Sequence, residues 1–364
     1  AAWGERRMRV KKQTEAPTGA SRRATLMDVV RASGTSKATV SRVLNNRPGV
    51  IPDLRDRVLA AIQHLNYTPI AAARALSRSR SNTIGVVFQD ITSGWLLNVF
   101  RGVMHVASAT GYSVLTTLST RPGDESELPR KLLAEERIDG LVWCDPRITP
   151  EMVQGMKDLN LPFVVIQKHV NDPEVNTVGM ENYQSAYLAM KHLLDLGYRR
   201  LLLVTGSPDN EDSNQRLQGA RQALSECHIR PATVPVVVGH HVGMLAVKAL
   251  AAHLEEGRRM PEAIFAFNDS MAIAIIQWLR ARCHRVPDDV AVVGFDGTDE
   301  AEQVGLTTVE TPMYESGVLA TQILLDCATT SSSKDKKIRQ VMLRGNLRIR
   351  ESCGAKLKGA EGRK

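Results

Sequence analysis

Residues 25–45 read Thr25-Leu-Met-Asp-Val-Val-Arg-Ala-Ser-Gly-Thr-Ser-Lys-Ala-Thr-Val-Ser-Arg-Val-Leu-Asn45. Thr25 stands three residues ahead of Asp28, the spacing at which a hydroxyl and a carboxylate cap one another at a helix start. Val29, Val30 and Ala32 then give a short helix an apolar face. Ser33-Gly34-Thr35 supplies a turn, with glycine free to adopt a left-handed backbone. Ser36 can cap a second helix, Lys37–Asn45, with Val40, Val43 and Leu44 on one side and Lys37, Ala38, Ser41 and Arg42 on the other. Two short helices, a glycine-containing turn and a polar second face predict a helix-turn-helix. Its second helix enters the major groove, where arginine reads guanine and small apolar groups meet the thymine methyl. Capped helix pairs also occur as plain structural hairpins, so the pattern by itself leaves both readings open.

The neighbouring residues narrow it. Pro52 opens a third helix, with Leu54, Val58, Leu59, Ile62 and Leu65 expected inward and Arg55 and Arg57 outward. Tyr67-Thr68-Pro69 breaks the chain before the Ala-rich run 70–76, and Ser77-Arg78-Ser79-Arg80-Ser81 follows as a polar linker. Residues 1–23 are polar and basic with no apolar period and read as a disordered leader. The formal net charge of +8 is unevenly spread. Residues 1–80 hold 16 Lys and Arg against 5 Asp and Glu, whereas residues 81–333 are net −11. A basic N-terminal block is what phosphate neutralisation requires, because each contact releases condensed counterions.

From residue 84 short β-rich runs alternate with amphipathic helical stretches. The runs are 84–88, 113–117, 140–143, 163–166, 201–204, 236–238, 263–267 and 290–295; the stretches are 96–109, 125–136, 181–196, 213–227, 242–256 and 269–282. Such repetition predicts mostly parallel sheets covered by helices, as a barrel or as two doubly wound lobes. Residues 351–364 read as a loose basic tail. The five cysteines are scattered without a C-x-x-C pair, so no metal, disulfide framework or other cofactor is expected. No apolar run reaches the roughly 18–20 residues of a membrane span, and no secretion signal precedes the head, so the expected location is cytoplasmic.

At this point the sequence becomes specific. The run 25–45, Arg57-Val-Leu-Ala-Ala-Ile62, Asn66-Tyr67-Thr-Pro69 and Ala73-Arg74-Ala-Leu76 resemble the lactose/galactose repressor family. So do Thr83-Ile84-Gly85, Arg137-Ile-Asp-Gly140, Gly197-Tyr-Arg-Arg200, Arg216-Leu-Gln-Gly219, Phe267-Asn268-Asp269, Val293-Gly294-Phe295-Asp296 and Leu306-Thr307-Thr308-Val309. The resemblance spans residues 24–353 and implies a small all-α helix-turn-helix head (24–69), a hinge helix and linker (70–81), and a core (82–350). That core would be two periplasmic-binding-protein-like lobes of doubly wound parallel sheet, with chain crossings near 167 and 298. It further implies a homodimer on a pseudo-palindromic double-stranded operator, controlled by a small molecule, with no membrane partner. Thr25, Ser36, Lys37, Ala38, Thr39, Ser41, Arg42 and Asn45 would meet DNA. Ala73 and Leu76 would lie in the minor groove, with Leu76 as an apolar wedge or as packing between paired hinge helices.

By the same resemblance Asp90, Trp95, Gln167, Met180, Arg216, His241, Asn268 and Asp296 would line the effector cleft. The carboxylate, amide and guanidinium groups suit several hydroxyls, or a hydroxyl and an acid, so a sugar or sugar acid is the default ligand. Arg216 offers a planar fork, and it could equally be a surface or capping arginine. Asn268 is the expected ligand contact, with Asp269 as a plain N-cap. The sequence departs from the family pattern at Ile51, Ile70, residues 93–96, Gln167 and Gly297, where Ser, Asn, Asn-Pro-Phe-Phe, Asp and Asp are usual. Two other function classes stand against a regulator. A plain solute-binding protein would have no use for residues 25–76. A nucleotide-dependent enzyme would need a glycine-rich phosphate loop after the first core strand, where Gly85 is alone, and no G-x-S-x-G elbow marks a hydrolase.

Overall fold

The computed structural model describes residues 24–45, 47–67, 81–88, 94–118, 127, 130–132, 137–144, 148–166, 172–329 and 337–355. The expected leader 1–23, the hinge with Ala73 and Leu76, and the tail beyond 355 lie outside them. The chain divides after Ser79 into two units.

The first unit holds α1 (Leu26–Ser33), α2 (Lys37–Leu44) and α3 (Pro52–His64). Thr25 caps α1 with Asp28 as its reciprocal partner, and Gly34 ends it in the left-handed conformation at φ 62°. Ser36 caps α2, which stops at Leu44 with Asn45 as C-cap, one residue short of the expected end. Val29, Val40, Val43, Val58, Ala61 and Tyr67 form the core. Two expected inward residues are exposed. Ser33, four residues after Val29, takes the buried position expected of Ala32 and donates to the Val29 carbonyl at 2.7 Å. On α3, Leu59 is 48% exposed, because one step past Val58 rotates a side chain about 100° off the inward stripe. Ile51 provides no side-chain cap, and Pro52 at the first helical position opens α3 without one.

The second unit contains two open sheets. The elements of the first are β1 (Thr83–Phe88), α4 (Gly94–Thr110), β2 (Ser113–Leu118), β3 (Gly140–Cys144), α5 (Pro150–Asp158), β4 (Phe163–Ile166) and β5 (Asn176–Met180). There follow α6 (Asn182–Asp195), β6 (Leu201–Thr205), α7 (Glu211–Glu226), β7 (Val236–Val238), α8 (Gly243–Glu255), β8 (Ala263–Ala266) and α9 (Asp269–Ala281). The chain ends with β9 (Ala291–Asp296), α10 (Asp299–Gln303), β10 (Thr307–Glu310), α11 (Met313–Thr329), β11 (Gln340–Leu343) and β12 (Asn346–Arg348). Strand order is β11-β5-β4-β3-β1-β2 in one sheet and β12-β10-β9-β8-β6-β7 in the other, all parallel except β12 against β10. These are two doubly wound lobes, not a barrel.

The crossings differ from those expected near 167 and 298. Val164–Ile166 of β4 pairs with β5, so the first sheet keeps the chain to Met180 and the crossing follows at Glu181. The chain returns at residues 311–312, after β10 has paired with β9, and passes over again at 344–345 between β11 and β12. Gly345 suits that last passage, because a Cβ there would meet Val309 at 2.7 Å and Met180 at 2.8 Å. Residues 351–355 are not a loose tail. Ser352 accepts from the Thr307 amide at 2.8 Å and donates to the Val292 carbonyl at 2.6 Å, and Cys353 is fully buried.

In both sheets the order about the first strand, β2-β1-β3 and β7-β6-β8, makes a switch point where helices leave on opposite faces. Ligands of open α/β sheets bind outside the carboxyl ends of strands at such points.

Candidate functional site

Two regions carry the candidate residues, one in each unit. In the head, Lys37, Ala38 and Arg42 are exposed on α2, while Val40 and Val43 are buried beneath them. Ser36 and Thr39 share a hydroxyl contact of 2.9 Å at the helix start, and the Asn45 amide donates to the Ser41 carbonyl at 2.9 Å. Thr25 is committed to Asp28, to which its hydroxyl donates at 2.7 Å. Acidic side chains are missing from the first turn of α2, so its N-terminal positive pole is uncompensated.

In the core, Arg216, His241, Asn268 and Asp296 come together at the carboxyl ends of β6 to β9. Arg216 sits on the inward stripe of α7, in register with Ser213, Gly219, Ala220 and Ala223, which explains how an arginine becomes 94% buried. Gly219 lets α7 approach α6 closely, since a Cβ there would lie 2.0 Å from the Tyr183 carbonyl. The Arg216 Nε donates to Asn182 Oδ1 at 2.8 Å, and one terminal nitrogen donates to the Phe267 carbonyl. Its plane stacks 3.7 Å from the centroid of the Phe295 ring. The nearest Asp296 oxygen lies 3.8 Å from one terminal nitrogen, too far for a hydrogen bond.

Those competing partners explain the electrostatics. Burial pushes the Asp296 carboxyl up to about 8, and Arg216, already satisfied elsewhere, only partly opposes this. His241 is driven down to about 4 by burial first and then by Arg216, so its imidazole is neutral. Its Nε2 is buried, directly over Gly206, with no hydrogen-bond partner among the described residues. A buried orphaned nitrogen beside a guanidinium is a handle for something that enters from outside. Asp296 also has φ +126°, a region rare for side-chain-bearing residues. Its backbone carbonyl accepts from both the amide of Thr311, at 3.0 Å, and its hydroxyl, at 2.8 Å. Asp296 is thus tied to the chain crossing at 311–312.

Asn268, expected as a ligand contact, is the N-cap of α9: its oxygen accepts from the Met271 amide at 2.9 Å and its nitrogen donates to the His241 carbonyl at 3.0 Å. Asp269 is no cap. It is fully buried and accepts from the amides of Gly297 and Thr298 and from the Thr308 hydroxyl. Met180 is buried beside Gly345. Asp90, Gln167 and the side chain of Trp95 lie outside the described residues. Sequence reasoning missed Asn182, whose amide bridges Arg216 and Asp212, and Phe295 beneath the guanidinium; neither type carries a sequence signal for that role.

Residues 25–69 match the family described as bacterial regulatory proteins, lacI family, and residues 190–353 match the periplasmic binding protein-like domain. Catabolite control protein A of Priestia megaterium is 31% identical over 304 residues, which is 82% of this chain and 91% of that protein. The chain belongs to the lacI family of bacterial regulatory proteins. The HTH-type transcriptional repressor PurR of Photobacterium profundum is likewise 31% identical over 306 residues, covering 83% of this chain and 91% of that repressor. Among solved structures, the lac repressor dimer bound to operator and the anti-inducer ONPF has a TM-score of 0.81 at 26% identity, over 91% of this chain and 99% of that one. The transcriptional regulator CelR–cellobiose complex has a TM-score of 0.68 at 27% identity, over 91% and 100%. Membership in the lacI family decides among the three function classes. The protein is a DNA-binding transcriptional regulator, and it is neither a plain solute-binding protein nor an enzyme. No helix among the described residues is long and apolar enough to cross a membrane.

The raised Asp296 carboxyl gives the lacI-type core a measurable pH signature. A proton retained in the folded state and released in the unfolded chain makes stability fall as pH rises toward the folded value of about 8. His241, lowered in the fold, acts in the opposite sense only below its ordinary 6.5. The window from 6.5 to about 8 therefore isolates Asp296. Asp296→Asn keeps the shape of the protonated acid without titrating. Across that window its stability relative to the parent is expected to rise by roughly 2 kcal/mol, since each pKa unit is worth about 1.4 kcal/mol. Thermal melts at both ends measure it, and a flat difference would mean that Asp296 is ionised throughout.

Proposed function

We propose that this regulator is a repressor that binds a pseudo-palindromic operator as a homodimer and changes its affinity when a small effector enters the cleft between the lobes. Lys37, Ala38, Ser41 and Arg42 face base edges, with Ser36, Thr39, Asn45 and the start of α1 at Thr25 nearer the phosphates. Ala73 and Leu76 enter the minor groove. Arg216, His241 and Asp296 hold the effector together with Asp90, Trp95 and Gln167; Asn268 acts by fixing the His241 loop, and Met180 by packing at a crossing.

The observation that carries the reading is the orphaned, buried Nε2 of His241 at the switch point, beside Arg216 and an acid tied to a crossing. Occupation of that nitrogen acts on the segment that joins the lobes, which is what coupling between effector and operator requires. The polar set favours a polyhydroxylated ligand, a sugar or sugar acid, in line with the cellobiose-bound relative. A homodimer is supported by the exposed apolar side chains Val242, Met244 and Leu245 at the start of α8, with Met244 80% exposed. A bacterial operator places the protein in the cytoplasm.

Selection of bound duplexes from a random pool is expected to enrich a two-fold symmetric sequence, and a screen of sugars and sugar acids to contain one that shifts the affinity for it. Enrichment of no symmetric duplex would overturn the operator assignment. An effector whose binding and effect survive Arg216→Met unchanged would overturn the cleft assignment.

A further inference from the structure

The second lobe carries another recess, at the opposite ends of the strands that form the cleft. It is a half-open recess of about 270 Å³ at the amino ends of β6, β7 and β8, and Arg199, Arg200, Arg258, Arg259 and His253 stand around it. Its walls include Ile229, Val234 and Pro261, so charge surrounds an apolar floor.

The charges do not cancel. Arg200 pairs with Glu262 at 2.8 Å and Arg258 with Glu256 at 3.0 Å. Arg199 spends one terminal nitrogen on the carbonyls of Leu194 and Tyr198, both at 2.9 Å, and has no carboxylate partner among the described residues. Arg259 has none there either. Two guanidinium charges are left over around one recess. His253 is 91% buried in its wall without a hydrogen-bonding partner among the described residues, and burial lowers its pKa, so it is a neutral donor and acceptor facing that space. A recess that gathers four arginines against two paired carboxylates holds like charges together at a cost, and a bound dianion removes that cost.

We propose that this recess is a second ligand site, distinct from the cleft, for a compact phosphate monoester. Three features select that class. A phosphate monoester carries nearly two negative charges at neutral pH, which matches the two uncompensated guanidiniums. Planar guanidinium forks match its oxygens in geometry. The recess is slightly smaller than the roughly 300 Å³ at which typical small-molecule pockets begin, and its apolar floor suits a small organic group better than bare inorganic phosphate. The site does not depend on the effector reading of the cleft, because it uses none of the same residues.

The probe is phenyl phosphate, titrated calorimetrically into the full chain at physiological salt, with inorganic phosphate and succinate as competitors. Phenyl phosphate is expected to bind saturably at one per chain, more tightly than either competitor. Arg259→Ala is expected to weaken it roughly tenfold, one guanidinium–phosphate contact being worth about 1.4 kcal/mol on that scale, and Arg259→Glu to abolish it. Arg259 is exposed and has no hydrogen bond or ion pair among the described residues, so both variants are expected to melt with the parent when no ligand is present. Arg216→Met in the cleft is expected to leave phenyl phosphate binding in place. Absence of saturable binding, equal binding in parent and Arg259→Glu, or loss through Arg216→Met alone would overturn the site. Tighter binding of succinate would overturn the phosphate assignment in favour of a dicarboxylate.

Discussion

Truncating Asp269 to alanine is expected to cost the core roughly 3–5 kcal/mol, because several buried donors lose their acceptor at about 1–3 kcal/mol each. The amides of Gly297 and Thr298 each lie 2.8 Å from one carboxylate oxygen, and the Thr308 hydroxyl 2.6 Å from the other. All three converge on a fully buried side chain, and Gly294 leaves room for it: a Cβ there would lie 2.4 Å from the carboxylate. Water cannot take the place of the lost acceptor without a cavity large enough to admit it. The desolvation that the carboxylate itself incurs, seen in its pKa raised to about 6, offsets part of the loss and keeps the figure below the sum of three orphaned donors. Urea unfolding of the full chain measures the effect as a shift of midpoint at constant slope. Asp269→Asn keeps one acceptor and is expected to fall between parent and alanine. An alanine variant within about 0.5 kcal/mol of the parent, the range of ordinary surface changes, would mean that the three donors find other partners. The consequence reaches beyond stability. Gly297 and Thr298 directly follow Asp296, whose carbonyl holds Thr311 at the crossing, so Asp269 stiffens the path from the cleft to the junction of the lobes.

How far the sequence discloses this arrangement depends on how each signal arises. The head is legible because its elements are defined locally. The Thr25–Asp28 pair, Gly34 and Ser36 lie within a few residues of what they cap, and each does what its spacing predicts. Most core strands are legible because they are nearly uninterrupted apolar runs. β5 is not, since Asn176, Thr177 and Gly179 break the apolar pattern although all five residues are buried; the Asn176 oxygen accepts from the Arg339 amide, 163 residues distant. The polar strand start of β10 hides in the same way, with the Thr307 hydroxyl satisfied by the Arg350 carbonyl and that of Thr308 by Asp269. The crossings could not be placed because they depend on which sheet β5 joins, a pairing between distant segments. At the site, family resemblance named Arg216, His241, Asn268 and Asp296, and the fold gathers all four. It could not tell that the Asn268 amide also holds the His241 carbonyl or that Asp269 is the anchor, because both bonds reach partners about thirty residues away.

The reading face of α2 offers the largest effect on function. On the proposed footprint Arg42→Ala removes one base contact from each half-site, and each is worth about 1–3 kcal/mol of discrimination. A dimer loses both, so operator affinity is expected to fall by roughly 2–6 kcal/mol, from tens of times to about ten-thousand-fold. The head itself should stay folded, because Arg42 is exposed and the packing beneath it belongs to Val40 and Val43. Two comparisons separate reading from mere attraction. Loss of a charged phosphate contact lowers affinity for all duplexes alike and reduces the salt slope by about one unit. Arg42→Ala should leave non-specific binding nearly intact and relax preference at one symmetric pair of positions. Binding of operator and scrambled duplex across a salt series, with the helicity of each variant checked, distinguishes them. If Arg42→Ala weakened both duplexes equally, the residue would be a phosphate contact, and base recognition would have to rest on Ala38 and its neighbours on the same face.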